Sequence, residues 1–280
     1  MQGVSCQSCH GAAADWVKVH NDYGSETASK ETESAAHKKQ RIKAVKAAGM
    51  VVPGDLLGLA ENCYQCHLIT NEDLINNTSH PSSSDFSFLE RTQGNILHSK
   101  PASADKKNKL IIAGSVAEVI GSINALGHAK QANGRYADVM QDTAKNAIQS
   151  LSSAIDATGD AQLKKIHKKV SSADLSASNG SLKHLAKDIY AIATGALGEN
   201  GSLKKVTITK KVAKPKPVAE KKVAPKKAKP AVKAVTTTSK PATAKKPSPA
   251  KAAAPVTAPV EIAASVTAAA NSTAIALSQS

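Results

Sequence analysis

The chain has 280 residues, enough for two domains by length, yet it holds only seven aromatic residues, 2% of the total, and none after Tyr190. Its formal charge of +15 is uneven: residues 204–280 carry 16 Lys against Glu220 and Glu261, a net +14, which leaves +1 for residues 1–203. These figures exclude an aromatic-rich core over the whole length and a uniformly basic folded domain, and no run approaches the roughly 20 apolar residues expected of a transmembrane helix.

The chain opens on Cys6-Gln7-Ser8-Cys9-His10, and the same device returns as Cys63-Tyr64-Gln65-Cys66-His67, so all four cysteines fall in two C-x-x-C-H units. Two thiols three positions apart can each form a thioether to one haem vinyl group, and the adjacent imidazole is then held under the iron as an axial ligand. The pattern therefore points to Cys6, Cys9, Cys63 and Cys66 as attachment residues for two haems c, with His10 and His67 as proximal ligands. A structural zinc ribbon is the competing reading of paired C-x-x-C units. Its half-sites would lie 54 positions apart, Cys9 to Cys63, far beyond ribbon spacing, and a ribbon gives no reason for a His directly after each pair. Two haems would also supply the flat apolar surface that Phe and Trp otherwise bring.

After the first unit, residues 11–20 read as a short helix carrying the only Trp, Trp16, and broken by Asn21-Asp22-Tyr23-Gly24. Residues 33–49 form a second predicted helix, with Ile42, Val45 and Ala48 at helical spacing. Val52-Pro53-Gly54 is a turn, and Asp55 caps a helix over 56–61 that delivers Cys63. With His10 and His67 proximal, seven histidines compete for the distal positions. His80 and His98 lie in loops near the second unit and are the preferred candidates; His20, at a helix end, follows, and His37 is weaker. Met50 reads as core packing. Bis-His ligation saturates the iron and favours electron transfer over substrate chemistry.

The run Gly3-Val4-Ser5-Cys6-Gln7-Ser8-Cys9-His10-Gly11, followed by Trp16-Val17 and His20, resembles the haem unit of multihaem c-type cytochromes, among them periplasmic tetrahaem electron carriers related to the partner of hydroxylamine oxidoreductase. The run Ala60-Glu61-Asn62-Cys63-Tyr64-Gln65-Cys66-His67, with Asn71-Glu72, His80, Ser84-Asp85-Phe86, Gln93-Gly94 and His98 beyond it, is similar to their last haem unit. The resemblance covers about residues 3–100 and implies a small multihaem domain with little regular sheet, further C-x-x-C-H units upstream, and an electron-transfer role. Such haem is attached outside the cytoplasm in bacteria, so a periplasmic or otherwise exported protein is expected. Met1 stands five residues before Cys6 with no secretory signal between, which reads as an N-terminally truncated sequence.

Residues 108–197 turn helical: Ile112, Val116, Val119, Ile123 and Leu126 form one stripe, Met140, Ala144, Ala147, Leu151 and Ile155 another, and Leu182, Leu185, Ile189 and Ile192 a third, with a shorter segment at Leu163, Ile166 and Val170. The loop lengths predict an antiparallel bundle, with His128, His167 and His184 on its rim. From 201 onward Lys, Ala, Pro, Val and Thr dominate, with nine of the twelve prolines, which predicts a disordered basic tail. The expected organisation is mainly α: a cytochrome domain over 1–105, a bundle over 106–200 and the tail over 201–280. The function read from it is periplasmic electron transfer with unidentified redox partner proteins. The alternative is a fragment of a multihaem oxidoreductase acting on a small nitrogen or sulfur compound at an open haem. The tail suits anionic envelope polymer or lipid; the absence of Arg and aromatic residues in it argues against nucleic acid as its target.

Overall fold

A computed structural model describes residues 5–78, 80, 86–93 and 101–216, all within one unit, Met1–Lys226. Among these residues the chain is mainly helical and has no strand. The helices are α1 (Cys6–His10), α2 (Ala35–Ala47), α3 (Leu56–His67), α4 (Glu72–Asn77), α5 (Phe88–Gln93), α6 (Ala104–His128), α7 (Arg135–Thr158), α8 (Ala161–Ser171) and α9 (Ser181–Leu197), followed by a 3-10 turn at Ser202–Lys205.

Local chemistry sets their ends. Side chains of Ser34, Asp55, Asn71, Ser103 and Asp160 accept first-turn N–H groups of α2, α3, α4, α6 and α8, donors that have no partner inside a helix. Gly159, left-handed at φ 66°, ends α7 and hands the chain directly to the Asp160 cap. The helix expected over 11–20 is instead a series of turns. Gly11, at φ 83°, stops α1, and the N–H groups of Val17, Val19 and His20 find only the carbonyls of Ala13 and Trp16.

The apolar stripes read from the sequence meet in one core. Ile112, Val116, Val119, Ile123 and Leu126 of α6 are all fully buried, as are Met140, Ala144, Ala147 and Leu151 of α7, Leu163 and Ile166 of α8, and Ile189 of α9. Helix α6 packs against α3, α5, α7 and α9. No membrane-crossing helix was expected, but α6 is long and apolar enough to cross a bilayer; most of its apolar window is covered by the other helices instead. The same core takes in Leu57, Ala60 and Tyr64 of α3 and Ile75 of α4, so it runs continuously across position 105. At Gly121 a Cβ would overlap the Leu68 Cδ1 methyl, so the glycine leaves room for this side chain at the end of α3 against α6. A small second cluster holds Trp16, Val45 and Val52, with Met50 packed on it as expected.

The buried Glu72 carboxylate accepts N–H bonds from Lys130 at 2.6 Å and Gln131 at 2.9 Å, which fixes α4 to the loop after α6.

The start of the tail needs correction. Disorder was expected from 201, but within the described part Leu203, Ile208 and Val212 are buried on the core. The backbone is tied down as well: the Ile208 N–H donates to Asp105 at 2.7 Å, and Asn108 donates to the carbonyls of Ile208 and Lys210 at 3.2 and 3.0 Å. Three spaced apolar residues and a buried Asn suffice to hold a strand-like segment that has no periodicity of its own. Ile208→Ala should therefore destabilise the protein by about 2–5 kcal/mol, and ending the chain after Gly201 should lower its melting temperature by roughly 10 °C or more. An unchanged thermal unfolding curve for both would mean that the segment contributes nothing to the fold.

Candidate functional site

The first C-x-x-C-H unit forms the whole of α1. Cys6 is exposed, Cys9 half-buried and His10 buried, its ring edge-on to Trp16 with centroids 6.4 Å apart. His10 Nδ1 lies 2.6 Å from the Val51 carbonyl. A carbonyl can only accept, so Nδ1 carries the proton and the ring lone pair resides on Nε2. The Val51 N–H returns a bond to the His10 carbonyl at 3.0 Å, so the turn before α3 clamps the end of α1 from both sides. A second tie comes from α3, where Asn62 donates to the Cys9 carbonyl at 2.8 Å.

The second unit occupies the last turn of α3. Cys63 is half-buried and packs on the core, Cys66 is exposed, and His67 is half-buried with its ring stacked on Phe86 at a centroid distance of 3.9 Å. Burial, and secondarily the nearby Arg91, lowers the pKa of His67 and favours the neutral imidazole. The two units meet: Cys9 is the electrostatic neighbour of the Cys63 thiol, and burial, reinforced by Cys9, pushes that thiol up to about 12. Among the described residues no three His, Cys, Asp or Glu side chains converge on one point.

The distal candidates differ in setting. His20 is half-buried, its Nδ1 2.6 Å from the Val17 carbonyl and its ring edge-on to Trp16 at 5.4 Å. Its own carbonyl accepts from Arg41 at 2.9 Å, and Arg41 forks onto Glu33 at 2.7 and 2.6 Å. The fork holds the covered Glu33 carboxyl down at about 2. His37 shares Glu33 at 2.8 Å and so belongs to this network. His80 is exposed, and its carbonyl accepts from Arg135 at 2.8 Å. His98 lies outside the described residues. His128 and His184 are exposed and His167 is half-buried, as a rim position predicts.

Sequence reading passed over one half-buried acidic group. Glu118 is the single charged residue in the apolar run 110–126, and that isolation was the available signal. The Tyr64 side chain is its polar neighbour and partly offsets the effect of burial, while Oε2 is buried without a hydrogen-bond partner among the described residues. Burial pushes Glu118 up to about 8, and burial with Asp55 pushes Glu61 up to about 7.

A carboxyl whose folded pKa is raised makes the folded state the stronger proton binder, so stability falls as pH rises from the unfolded value near 4.3 to the folded one. Glu118→Gln should remove this slope between about pH 4.5 and 8 and stabilise the protein at pH 8 by on the order of a few kcal/mol. Denaturant unfolding at pH 5 and pH 8 measures it, and an unaltered difference would mean that Glu118 is ionised without penalty.

No protein-family model, curated protein or solved structure matches the chain.

Proposed function

We propose that the chain is a c-type cytochrome carrying two covalently attached haems, working in electron transfer in the periplasm or another exported compartment. The observation that carries this reading is the complete use of cysteine in two C-x-x-C-H units. The setting of those units supports it. Each presents two thiols and an imidazole on one helical turn, which is what haem attachment asks for; tetrahedral zinc would need donors from both units converging on one point. His10 fits a proximal role because its Nδ1 bond to Val51 orients the ring and sets the tautomer, the outer support usual for a metal-bound imidazole. When bound, the haems would supply reversible one-electron iron centres.

In this reading Cys6 and Cys9 with His10, and Cys63 and Cys66 with His67, hold the two groups. His20 is the best supported distal candidate, since the Arg41–Glu33 pair fixes its backbone and Val17 sets its tautomer. His80 and His98 stand as the other candidates.

Co-expression with haem-maturation machinery should give a protein whose mass exceeds that of the chain by two haems, and Cys63→Ala with Cys66→Ala should reduce the gain to one. An unmodified chain, or stoichiometric zinc in place of haem, would overturn the reading. Should His20 be a sixth ligand, His20→Ala converts a low-spin spectrum to a high-spin one.

The Lys-rich stretch, with +14 over residues 204–280, is a docking element for anionic envelope polymer or lipid headgroups. Binding of the full-length protein to anionic vesicles should be strong at 10 mM salt. It should fade as the Debye length shortens from about 30 Å to about 8 Å near physiological ionic strength. Salt-independent binding would contradict an electrostatic tether.

A further inference from the structure

A cavity of about 390 Å³ opens between α3, α5, α6 and α7, closed on one side by residues 214–216. It falls within the range of about 300–1,000 Å³ typical of small-molecule sites. Leu68, Phe86, Phe88, Leu110 and Met140 give it apolar walls, and Glu118 is the acidic group set into them from α6. Neither Cys63 nor Cys66 lines it, although His67 at the end of the same unit does.

We infer that this cavity is a binding site for a small, flat hydroxyaryl molecule, a phenol of one or two rings, whose hydroxyl pairs with the Glu118 carboxyl.

The carboxyl defines the polar half of the ligand. The Tyr64 side chain is its polar neighbour, and Oε2 has no hydrogen-bond partner among the described residues; burying a polar atom unpaired is unfavourable. The neighbouring Ser115 hydroxyl donates to the Ile111 carbonyl at 3.0 Å and so does not supply the missing hydrogen bond. With its pKa pushed up to about 8, Glu118 is present in both protonation states near neutral pH. A hydroxyl can donate to the carboxylate and accept from the acid, and so satisfies either state, whereas an ammonium only donates. Charge at the mouth points the same way. Lys214 and Lys216 line the rim, the first paired with Glu90 at 2.6 Å, which disfavours a cation.

The walls define the apolar half. Phe86, Phe88 and the His67 imidazole border one cavity, and ring faces and edges of this kind favour a flat aromatic partner over an aliphatic one.

Met140 provides the readout. Of the methionines among the described residues, Met140 lines the cavity and Met50 packs beside Trp16. Full-length protein labelled with carbon-13 at the methionine methyls is titrated under reducing conditions at pH 9, above the Glu118 value of about 8 so that its carboxylate can only accept, with phenol and, separately, with anisole, which keeps the ring but cannot donate. Phenol should move the Met140 signal saturably and leave Met50 in place. Anisole should bind about tenfold more weakly. In Glu118→Leu the two probes should become equivalent. Equal affinity for both probes in the wild-type protein would reduce the cavity to an apolar hole and overturn the inference, as would a Met140 signal that neither moves. Both of those outcomes are read without any variant.

Discussion

The packing of α3 onto α6 is the contact on which the rest of the described structure depends. With so few aromatic residues, the core is made of Ala, Val, Leu and Ile, and such a core is dense only where helices approach closely. Gly121 and Gly114 of α6 allow that approach, toward Leu68 and toward Phe88 and Tyr64 respectively. Once Ala60 and Tyr64 are buried on this face, the helix has no freedom to rotate. Cys63 must then look toward α1, Asn62 comes within reach of the Cys9 carbonyl, and His67 stands at the edge of the cavity beside Phe86. One helix thus serves both as a wall of the core and as the carrier of a reactive motif.

Much of this was legible in the sequence, and the reasons are specific. The stripes Ile112 to Leu126 and Met140 to Leu151 are visible because burial on one side of a helix imposes a period that few other arrangements share. The two C-x-x-C-H units are visible because their chemistry is local. The meeting of Cys9 with Cys63 is not local. It depends on the turn around Val51 returning the chain to His10, and a backbone-to-backbone clamp leaves no mark on side-chain identity. Residues 11–20 were over-read as a helix because their Ala and Val content suggests one, whereas the positive φ at Gly11 starts the chain on a different path. Leu203, Ile208 and Val212 are submerged in Lys and Pro composition, and Asp105 and Asn108, the partners of Ile208 and Val212, lie about a hundred positions upstream. Glu118 could be seen as an anomaly, but nothing local named Tyr64 as its partner.

The loop between α1 and α2 is organised by charge more than by burial. Arg41 joins the His20 carbonyl, the Glu33 carboxylate and, at 5.0 Å, the face of Tyr23. A forked guanidinium can hold these groups together in a segment without regular structure, where a Lys could not. The network places His20 relative to Trp16, and Trp16 in turn borders His10.

The clamp at Val51 bears on the order in which the two thiol pairs become shielded. Helix α1 is five residues long, far too short to persist alone in water, and it is held by groups that follow it by more than forty positions. During synthesis its cysteines emerge before Val51 and Asn62, the groups that hold it in the finished fold. The Cys63 thiol is set in a helix whose other face is locked into the core, and its deprotonation is suppressed there. The difference lies within each pair as much as between them: Cys6 and Cys66 stay open to reagents in the finished fold, while Cys9 and Cys63 are the half-buried members and Cys63 is the one whose thiolate burial disfavours.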